Sequence, residues 1–112
     1  MRAGDMTLHE LCEACCVSRR AVQGYEKAGL VRPSGRNERG WLLYDPAAQE
    51  RIRLIRTYQR FGFQVKEIRQ LLSLPPVLQK EKLIAQKSRI EKERAELDEV
   101  LSLLNELIDS IY

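Results

Sequence analysis

The last third of the chain carries a hydrophobic repeat that limits what the protein can fold into. Leu83, Ile90, Leu97, Leu104 and Ile111 recur every seven residues, and charged residues fill most of the positions between them. This pattern is typical of a coiled-coil helix. One helix of about 35 residues would be on the order of 52 Å long, which is too long to bury against the preceding domain. We therefore expect the stripe to pack against another chain, and a homodimer is the simplest arrangement.

Further apolar residues widen this stripe toward its end. The predicted dimerisation set is Leu83, Ile90, Leu97, Val100, Leu101, Leu104, Leu107, Ile108 and Ile111. In the first half of the helix, Gln86, Lys87, Glu93 and Arg94 occupy the flanking positions instead. Tight pairing is therefore expected mainly from Leu97 onward. The repeat by itself leaves both parallel and antiparallel pairing open.

The first thirty residues predict two short helices joined by a tight turn. Thr7 and Glu10 have the spacing of a capping box at the start of the first helix. The apolar stripe of that helix consists of Leu8, Leu11, Cys12 and Cys15. The second helix follows Ser18, a favourable N-cap residue, and stops before Gly29. Two such helices in succession predict a helix-turn-helix.

The second of these helices is predicted to direct a polar set of side chains toward solvent. Arginine can donate two hydrogen bonds to a guanine edge, and glutamine can pair with an adenine edge. Tyrosine and lysine can bind phosphate oxygens. The sequence therefore predicts a DNA-reading helix whose contacts come from Ser18, Arg19, Arg20, Gln23 and Tyr25.

The segment over residues 31–44 predicts a small β-hairpin. Its proline and glycines disfavour a helix, and a short aromatic and aliphatic run follows them at residues 41–44. The tip of the hairpin would present Arg36, Asn37 and Arg39 beside the reading helix. Tyr44 is predicted to pack the hairpin onto the helices. Trp41 is predicted to cover the core with its ring and to place its edge near a phosphate.

Two more helices are predicted after the hairpin. Asp45 and Pro46 form a strong start signal for the first, whose apolar stripe consists of Ala48, Ile52, Ile55 and Tyr58. The run 61–63 is expected to break this helix and to place aromatic bulk in the core, before a second helix over about 65–74. Arg60 and Lys66 flank the junction and are predicted phosphate contacts, although a solvated charged face explains them almost as well.

The charge distribution favours a nucleic-acid partner for the first part of the chain. Residues 1–74 carry thirteen basic and eight acidic side chains, a net charge of +5, whereas residues 75–112 carry a net charge of −2. The single histidine, with no nucleophile–base pair and no glycine-rich phosphate loop, argues against an enzyme. The sequence lacks a signal peptide and an apolar run of membrane-spanning length, so it predicts a cytoplasmic protein without a membrane partner. Residues 1–5 are expected to form a loose leader.

Three cysteines lie close together in the first helix and the turn after it. Cys12, Cys15 and Cys16 follow His9, but structural zinc sites usually combine two separated ligand pairs and no second cluster lies downstream. Cys12 and Cys15 are explained as small core residues. The sequence therefore predicts no metal and no other cofactor, with a redox or metal-sensing role kept as a minor alternative.

Several stretches resemble, in order and in spacing, the MerR family of bacterial transcription regulators. They are Leu8-His9-Glu10-Leu11, Val17-Ser18, Tyr25-Glu26-Lys27-Ala28-Gly29-Leu30-Val31-Arg32-Pro33, Gly40-Trp41-Leu42-Leu43-Tyr44, Phe61-Gly62-Phe63, Lys66-Glu67-Ile68 and Leu71-Leu72. The resemblance implies a mostly α-helical fold, with a winged helix-turn-helix DNA-binding domain at residues 6–74. It also implies that residues 77–112 form a dimerisation helix in an antiparallel coiled coil. No effector domain is evident, which implies a short family member.

The resemblance further implies a mechanism. Family members bind a palindromic promoter element in double-stranded DNA and distort it so that RNA polymerase, an indirect partner, engages both promoter boxes. The sequence specificity of such binding depends partly on how easily the DNA is deformed.

The chain departs from the family pattern at two places. Gln23-Gly24-Tyr25 stands where members usually have Arg-Tyr-Tyr, and Gly40-Trp41-Leu42 stands where they have Gly-Tyr-Arg. DNA binding is therefore expected to be weaker per contact unless Arg36 and Arg39 compensate. The alternative function is a dimeric protein-interaction adaptor on the same fold with weak or no specific DNA binding.

Overall fold

Helices account for most of the computed structural model, which describes residues 3–112. These residues divide into two units, the first ending at Ser73 and the second running from Leu74 to Tyr112. The first unit contains, in chain order, β1 (Met6–Thr7), α1 (Leu8–Cys15), α2 (Arg19–Lys27), β2 (Gly35–Arg36), β3 (Leu42–Tyr44), α3 (Pro46–Arg60) and α4 (Val65–Leu72). The second unit contains α5 (Pro76–Asp109). The predicted mostly helical fold with a long final helix is confirmed.

Helix α1 begins with the predicted capping box and ends in an unusual turn. The Thr7 hydroxyl accepts a hydrogen bond from the Glu10 amide at 3.3 Å, and the Glu10 carboxylate accepts one from the Thr7 amide at 2.9 Å. Cys16 then adopts the left-handed conformation, with φ 51° and ψ 50°. Because the chain reverses there, Val17 enters the core. The predicted helix-turn-helix is confirmed.

Both ends of α2 are fixed by residues that suit them. The Ser18 hydroxyl accepts from the Ala21 amide at 3.0 Å. At the other end Gly29 has φ 78°, its amide donates to the Glu26 carbonyl, and the Leu30 amide donates to the Tyr25 carbonyl. This pair of bonds is a Schellman motif, which favours glycine at its left-handed position. The predicted cap and stop are confirmed.

The core of the first unit forms between its four helices and β3, with α2 packed on α1, α4 packed on α3, and both α1 and α3 packed on β3. Its buried apolar residues are Leu11, Val17, Val22, Tyr25, Leu30, Leu43, Tyr44, Ala48, Ile52, Ile55, Tyr58, Ile68 and Leu71. The predicted stripe of α3 is therefore confirmed. The expectation for Phe61 is wrong, because its side chain is 39% exposed. It caps α3 beside Tyr58, and the turn at Gly62, with φ 100°, redirects the chain after it.

A small antiparallel sheet joins the beginning of the unit to the hairpin. Strand β3 lies in the centre, with β1 on one side and β2 on the other, and Met6 pairs with Tyr44. Strand β1 was not predicted, because two residues are too few to show periodicity. The expectation of a loose leader is wrong for Gly4, whose carbonyl accepts from Gln49 Nε2 at 2.6 Å. Met1 and Arg2, which belong to the same expectation, lie outside the described residues.

Helix α5 is continuous over 34 residues. In this part of the described chain no side chain is fully buried, and the apolar residues of the repeat are exposed from Ile90 onward. None of the helices within residues 3–112 is long and apolar enough to cross a membrane.

Two glycines, one within α2 and one directly after it, predict opposite effects of the same substitution. An added Cβ would meet no atom within 4 Å at either Gly24 or Gly29, so backbone conformation alone decides the result. Gly24→Ala, within α2, is expected to raise the free energy of unfolding by about 1 kcal/mol. Gly29→Ala, at φ 78°, is expected to lower it by about 1 kcal/mol. Urea denaturation of both variants tests this, and effects of equal sign would contradict it.

Candidate nucleic-acid interface

Helix α2 places a polar face in solvent and a narrow apolar face in the core. Ser18, Arg19, Arg20 and Gln23 are exposed, as predicted, whereas Val22 is fully buried. The polar face therefore offers two guanidinium groups, an amide and a hydroxyl over the first turn and a half of the helix. Such groups can bind both base edges and phosphates.

The predicted outward orientation of Tyr25 is wrong. Its side chain is 1% exposed, and its hydroxyl donates to Gln59 Oε1 at 2.7 Å. Tyr25 follows Val22 by three residues and so lies on the same inward face of the helix. The helical period could have revealed this from the sequence. Tyr25 therefore anchors α2 to α3 and is removed from the candidate interface.

The tip of the hairpin is built around Asn37. The Asn37 Oδ1 atom accepts from the amides of Arg39 and Trp41, both at 3.0 Å. The Gly40 amide donates to the Asn37 carbonyl at 2.9 Å, and Gly40 has φ 80°. The expectation that the tip displays Asn37 needs correction, because this side chain is half-buried and its oxygen holds the turn together.

Trp41 and two arginines form the exposed surface of the hairpin. The guanidinium of Arg39 lies over the Trp41 ring, 5.4 Å from its centroid. Arg36 Nη1 donates to the Gly40 carbonyl at 2.6 Å, which fixes the direction of its guanidinium. Trp41 is 54% exposed, so the expectation that its ring covers the core is wrong. Its contact with Arg39 holds a flat aromatic surface and a cation at one place.

A groove of about 660 Å³ connects this hairpin surface to the start of α2. Arg19, Arg36 and Trp41 line it together with Thr7, Leu8, His9, Glu10, Gly40 and Leu42. The structure thus brings two of the predicted DNA-binding arginines and the predicted aromatic residue to one concave surface. Cations beside an apolar wall suit a sugar–phosphate strand, which presents anionic oxygens and apolar sugar faces.

The groove also contains the carboxylate of Glu10. The backbone hydrogen bond from Thr7 lowers the pKa of Glu10 below its ordinary value, so this group is ionised. Its exposed neighbour His9 lies 3.2 Å from Glu13, one turn further along α1. Because a carboxylate repels an anion, an anion in this groove would bind the cations of Arg19 and Arg36.

Arg60 and Lys66, the two predicted phosphate contacts of the α3–α4 junction, do not line this groove. Arg60 ends α3, Lys66 lies in the first turn of α4, and both side chains are exposed. The structure therefore places a second pair of cations at the junction between these helices.

The cysteines are free thiols of differing exposure. Cys12 and Cys15 are half-buried and Cys16 is exposed. Burial raises the pKa of the Cys12 thiol, which favours its protonated form. Within residues 3–112 no three histidine, cysteine, aspartate or glutamate side chains are grouped so that they could hold a metal ion.

Tyr44 links the hairpin to the end of α2. Its buried hydroxyl donates to Glu26 Oε1. Burial and the hydrogen bond to Glu26 raise the pKa of Tyr44 well above its ordinary value. This bond ties β3, the inner strand of the hairpin, to the helix that carries Arg19, Arg20 and Gln23. Sequence reasoning placed Tyr44 correctly but did not identify its partner, because eighteen residues separate the two.

Comparison with known protein families identifies the family of this chain. The profile of the MerR HTH family regulatory proteins matches residues 6–74, and the profile of the MerR DNA-binding region matches residues 49–111. The chain belongs to the MerR family. MerR-family proteins are transcription regulators and not enzymes, as the sequence predicted.

Two curated relatives show how much of a MerR protein this chain represents. The HTH-type transcriptional activator mta of Bacillus subtilis is 28% identical over 102 residues, which cover 91% of this chain and 40% of that protein. The mercuric resistance operon regulatory protein of Bacillus cereus is 32% identical over 65 residues, which cover 58% of this chain and 49% of that protein. The chain thus matches no more than about half the length of either relative.

Solved structures share the fold over nearly the whole chain. The N-terminal part of the Bacillus subtilis multidrug transporter activator, MtaN, superposes with a TM-score of 0.71 at 27% identity, covering 92% of this chain and 97% of MtaN. HiNmlR, a MerR family regulator lacking the sensor domain and bound to promoter DNA, gives a TM-score of 0.68 at 20% identity, covering 90% of this chain and 85% of HiNmlR. The MerR-type fold is therefore confirmed.

The contact between Tyr44 and Glu26 predicts a specific pH dependence. The folded state holds the Tyr44 proton more tightly than the unfolded chain does. Its contribution to stability is therefore complete below about pH 10, the ordinary tyrosine pKa, and declines as the pH rises above it. We expect Tyr44→Phe to be less stable than the wild type at neutral pH, by about 1 to 3 kcal/mol. The difference should shrink on going from pH 9 to pH 11, roughly the range around that pKa. Urea denaturation measures both effects, and a constant difference would contradict the assignment.

Proposed function

We propose that this chain is a sequence-specific transcription regulator that binds a palindromic promoter element as a homodimer and distorts it. The observation that carries the proposal is the arrangement of the first unit. Exposed Arg19, Arg20 and Gln23 lie on α2, and Arg19 shares a groove with Arg36 and Trp41 of the hairpin. Membership of the MerR family supports the same assignment.

The roles proposed for individual residues follow from their positions. Arg20 and Gln23 lie three residues apart on the exposed face of α2 and are proposed to read base edges in the major groove. Ser18 and Arg19, at the start of the helix, are proposed to bind phosphates together with Arg36 and Arg39 of the hairpin. Phosphate contacts fix the register of the protein on the duplex, whereas base contacts specify the sequence.

Three other residues complete the proposed interface. Trp41 is proposed to pack against the deoxyribose of a strand lying in the groove, and Arg60 with Lys66 to bind phosphate further along the same duplex. Arginine is well suited to such contacts because its planar guanidinium matches phosphate geometry. With several phosphates bound, the affinity should fall steeply with salt.

The dimer is proposed from the surface of α5. The residues of the predicted seam from Ile90 to Ile111 are 41% to 64% exposed, and only Leu83 is half-buried. Such a continuous apolar surface marks an interaction site. A second copy supplies a matching stripe and gives the two-fold symmetry that a palindrome requires.

The charges along α5 favour antiparallel pairing. Residues 76–96 carry a net charge of +2, whereas residues 97–112 carry a net charge of −4. An antiparallel dimer places the acidic half of each helix beside the basic half of the other, whereas a parallel dimer places like charges together. The antiparallel arrangement is therefore the one that we propose.

Distortion of the promoter is proposed on the same grounds. Two α2 helices held by one dimer enter successive major grooves about 34 Å apart, and a duplex that does not match this spacing must bend or untwist. RNA polymerase would then engage the remodelled promoter. HiNmlR, with the same fold, was solved on promoter DNA, which supports promoter DNA as the partner.

Selection from a randomised palindromic duplex library tests the proposal directly. The regulator should enrich one palindrome over unrelated DNA, and the affinity for it should weaken with increasing salt. The adaptor alternative predicts no enriched sequence. Absence of enrichment for the folded, dimeric protein would therefore remove the main support for the regulator.

Substitutions in the interface should separate reading from positioning. Arg20→Ala and Gln23→Ala are each expected to cost about 1 to 3 kcal/mol on the selected palindrome and to relax the preference at one base position. Lys66→Ala is expected to weaken binding to all duplexes alike and to reduce the salt slope by about one. Arg53→Ala, which removes a side chain that pairs with Glu50, is the charge-matched control. Gel-shift titrations measure all four, and unchanged preference in both Arg20→Ala and Gln23→Ala would refute the reading face.

The seam on α5 makes a separate prediction. Leu104→Asp places a charge in the centre of the apolar stripe and is expected to convert the dimer to a monomer. Ile84→Asp is the matched control, because Ile84 is also exposed but follows the seam residue Leu83 directly and so lies about 100° around the helix from the seam. Light scattering at the same protein concentration measures the mass of each variant. A dimeric Leu104→Asp protein would place the seam elsewhere.

A further inference from the structure

Three arginines of α3 have different hydrogen-bond partners. Arg51 Nε donates to the Leu30 carbonyl and Arg56 Nη2 donates to the Cys16 carbonyl, both at 2.9 Å. Arg53 Nη1 instead donates to the Glu50 carboxylate at 2.8 Å, one turn away on the same helix. Two of the three therefore bind the main chain of the helix-turn-helix, whereas the third pairs with a carboxylate of its own helix.

The two accepting carbonyls lie at opposite ends of residues 16–30, which contain α2 and are called here the recognition segment. Cys16 is the left-handed residue of the turn before α2, and Leu30 is the last residue of the Schellman motif after it. Carbonyls in such irregular segments have no helical or sheet partner by default and need one from elsewhere. A charged guanidinium donor gives a stronger bond than a neutral group does. Arg51 and Arg56 therefore fix the backbone on both sides of α2.

A third contact lies between these two. The Tyr25 hydroxyl donates to Gln59 Oε1, and Gln59 lies three residues after Arg56 on α3. Helix α3 thus holds the recognition segment at its beginning, in α2 itself and at its end. Directional hydrogen bonds to base edges require the donor side chains to be held within a fraction of an ångström.

We propose that Arg51 and Arg56 are positioning residues for DNA recognition, which set the position of α2 through its flanking backbone without contacting the DNA themselves. This inference rests on the proposed DNA binding. Arg51 is half-buried and its Nε atom points at Leu30, which leaves it poorly placed for a phosphate. Arg56 is exposed, but its guanidinium is directed at the turn before α2.

The experiment compares Arg51→Ala and Arg56→Ala with Arg53→Ala, which removes the same charge from the same helix. Dissociation constants are measured for the selected palindrome and for an unrelated duplex over a range of salt concentrations. For both positioning variants, the ratio of specific to nonspecific affinity is expected to fall about tenfold. A loss of this size lies within the range that a single base contact contributes. Their salt slopes and nonspecific affinities are expected to equal those of Arg53→Ala. Circular dichroism at the assay temperature confirms that each variant is folded.

Conservative variants add a readout that simple destabilisation would not produce. Arg51→Lys and Arg56→Lys keep a donor and the charge, so they are expected to recover part of the selectivity. These variants also carry the test if an alanine variant does not fold. A selectivity ratio equal to that of Arg53→Ala would overturn the proposal, and so would a salt slope reduced by about one relative to that control.

Failure of the proposed function has a different signature. In that case the wild type and Arg53→Ala would both show no preference for any palindrome, and the inference would fall with it. A selective wild type with equally selective Arg51→Ala and Arg56→Ala variants would overturn the positioning role alone.

Discussion

The docking of α2 onto the rest of the first unit is the interaction on which the candidate interface depends. A helix of nine residues is only marginally stable in water by itself. Helix α2 buries only Val22 and Tyr25, so its apolar contact area is small. Its position therefore depends on polar bonds as well: Tyr25 with Gln59, Glu26 with Tyr44, and the two arginine bonds to its flanking carbonyls. A narrow buried face leaves the opposite face free for DNA.

The hairpin is also held in place by polar bonds. Asn37 uses its side-chain oxygen to close the turn, and this turn places Arg39 over Trp41 and lets Arg36 bond to Gly40. A polar residue at the tip thus acts as internal support, while its neighbours form the exposed surface. Because Tyr44 bonds to Glu26, the strand behind this surface is connected to the recognition helix. The groove between the two elements is therefore built from parts that hold one another in place.

Arginines of the same chain serve distinct purposes that depend on what each side chain reaches. Arg20 is exposed on α2, Arg36 and Arg39 are held along the hairpin, and Arg51 and Arg56 bond to backbone carbonyls. A net positive charge counts all of these alike, although only those directed at solvent are available to an anion. For this reason the basic composition predicted a nucleic-acid partner but overstated the number of residues that serve it.

Local patterns were sufficient for most of the fold. The capping residues Thr7 and Ser18, the glycine stop at Gly29, the start of α3 at Asp45 and the seven-residue repeat of α5 all act within a few residues, so the sequence by itself determined where helices begin and end. It also determined the family, because motifs recur in order over residues 6–74. Only the tertiary structure decided that the Tyr25 hydroxyl meets Gln59, that Met6 and Thr7 form a strand, and that Arg51 and Arg56 bond to the recognition segment. These outcomes depend on partners that lie 21 to 40 residues away in the sequence. Such pairings arise only when the whole unit packs, and no local periodicity encodes them.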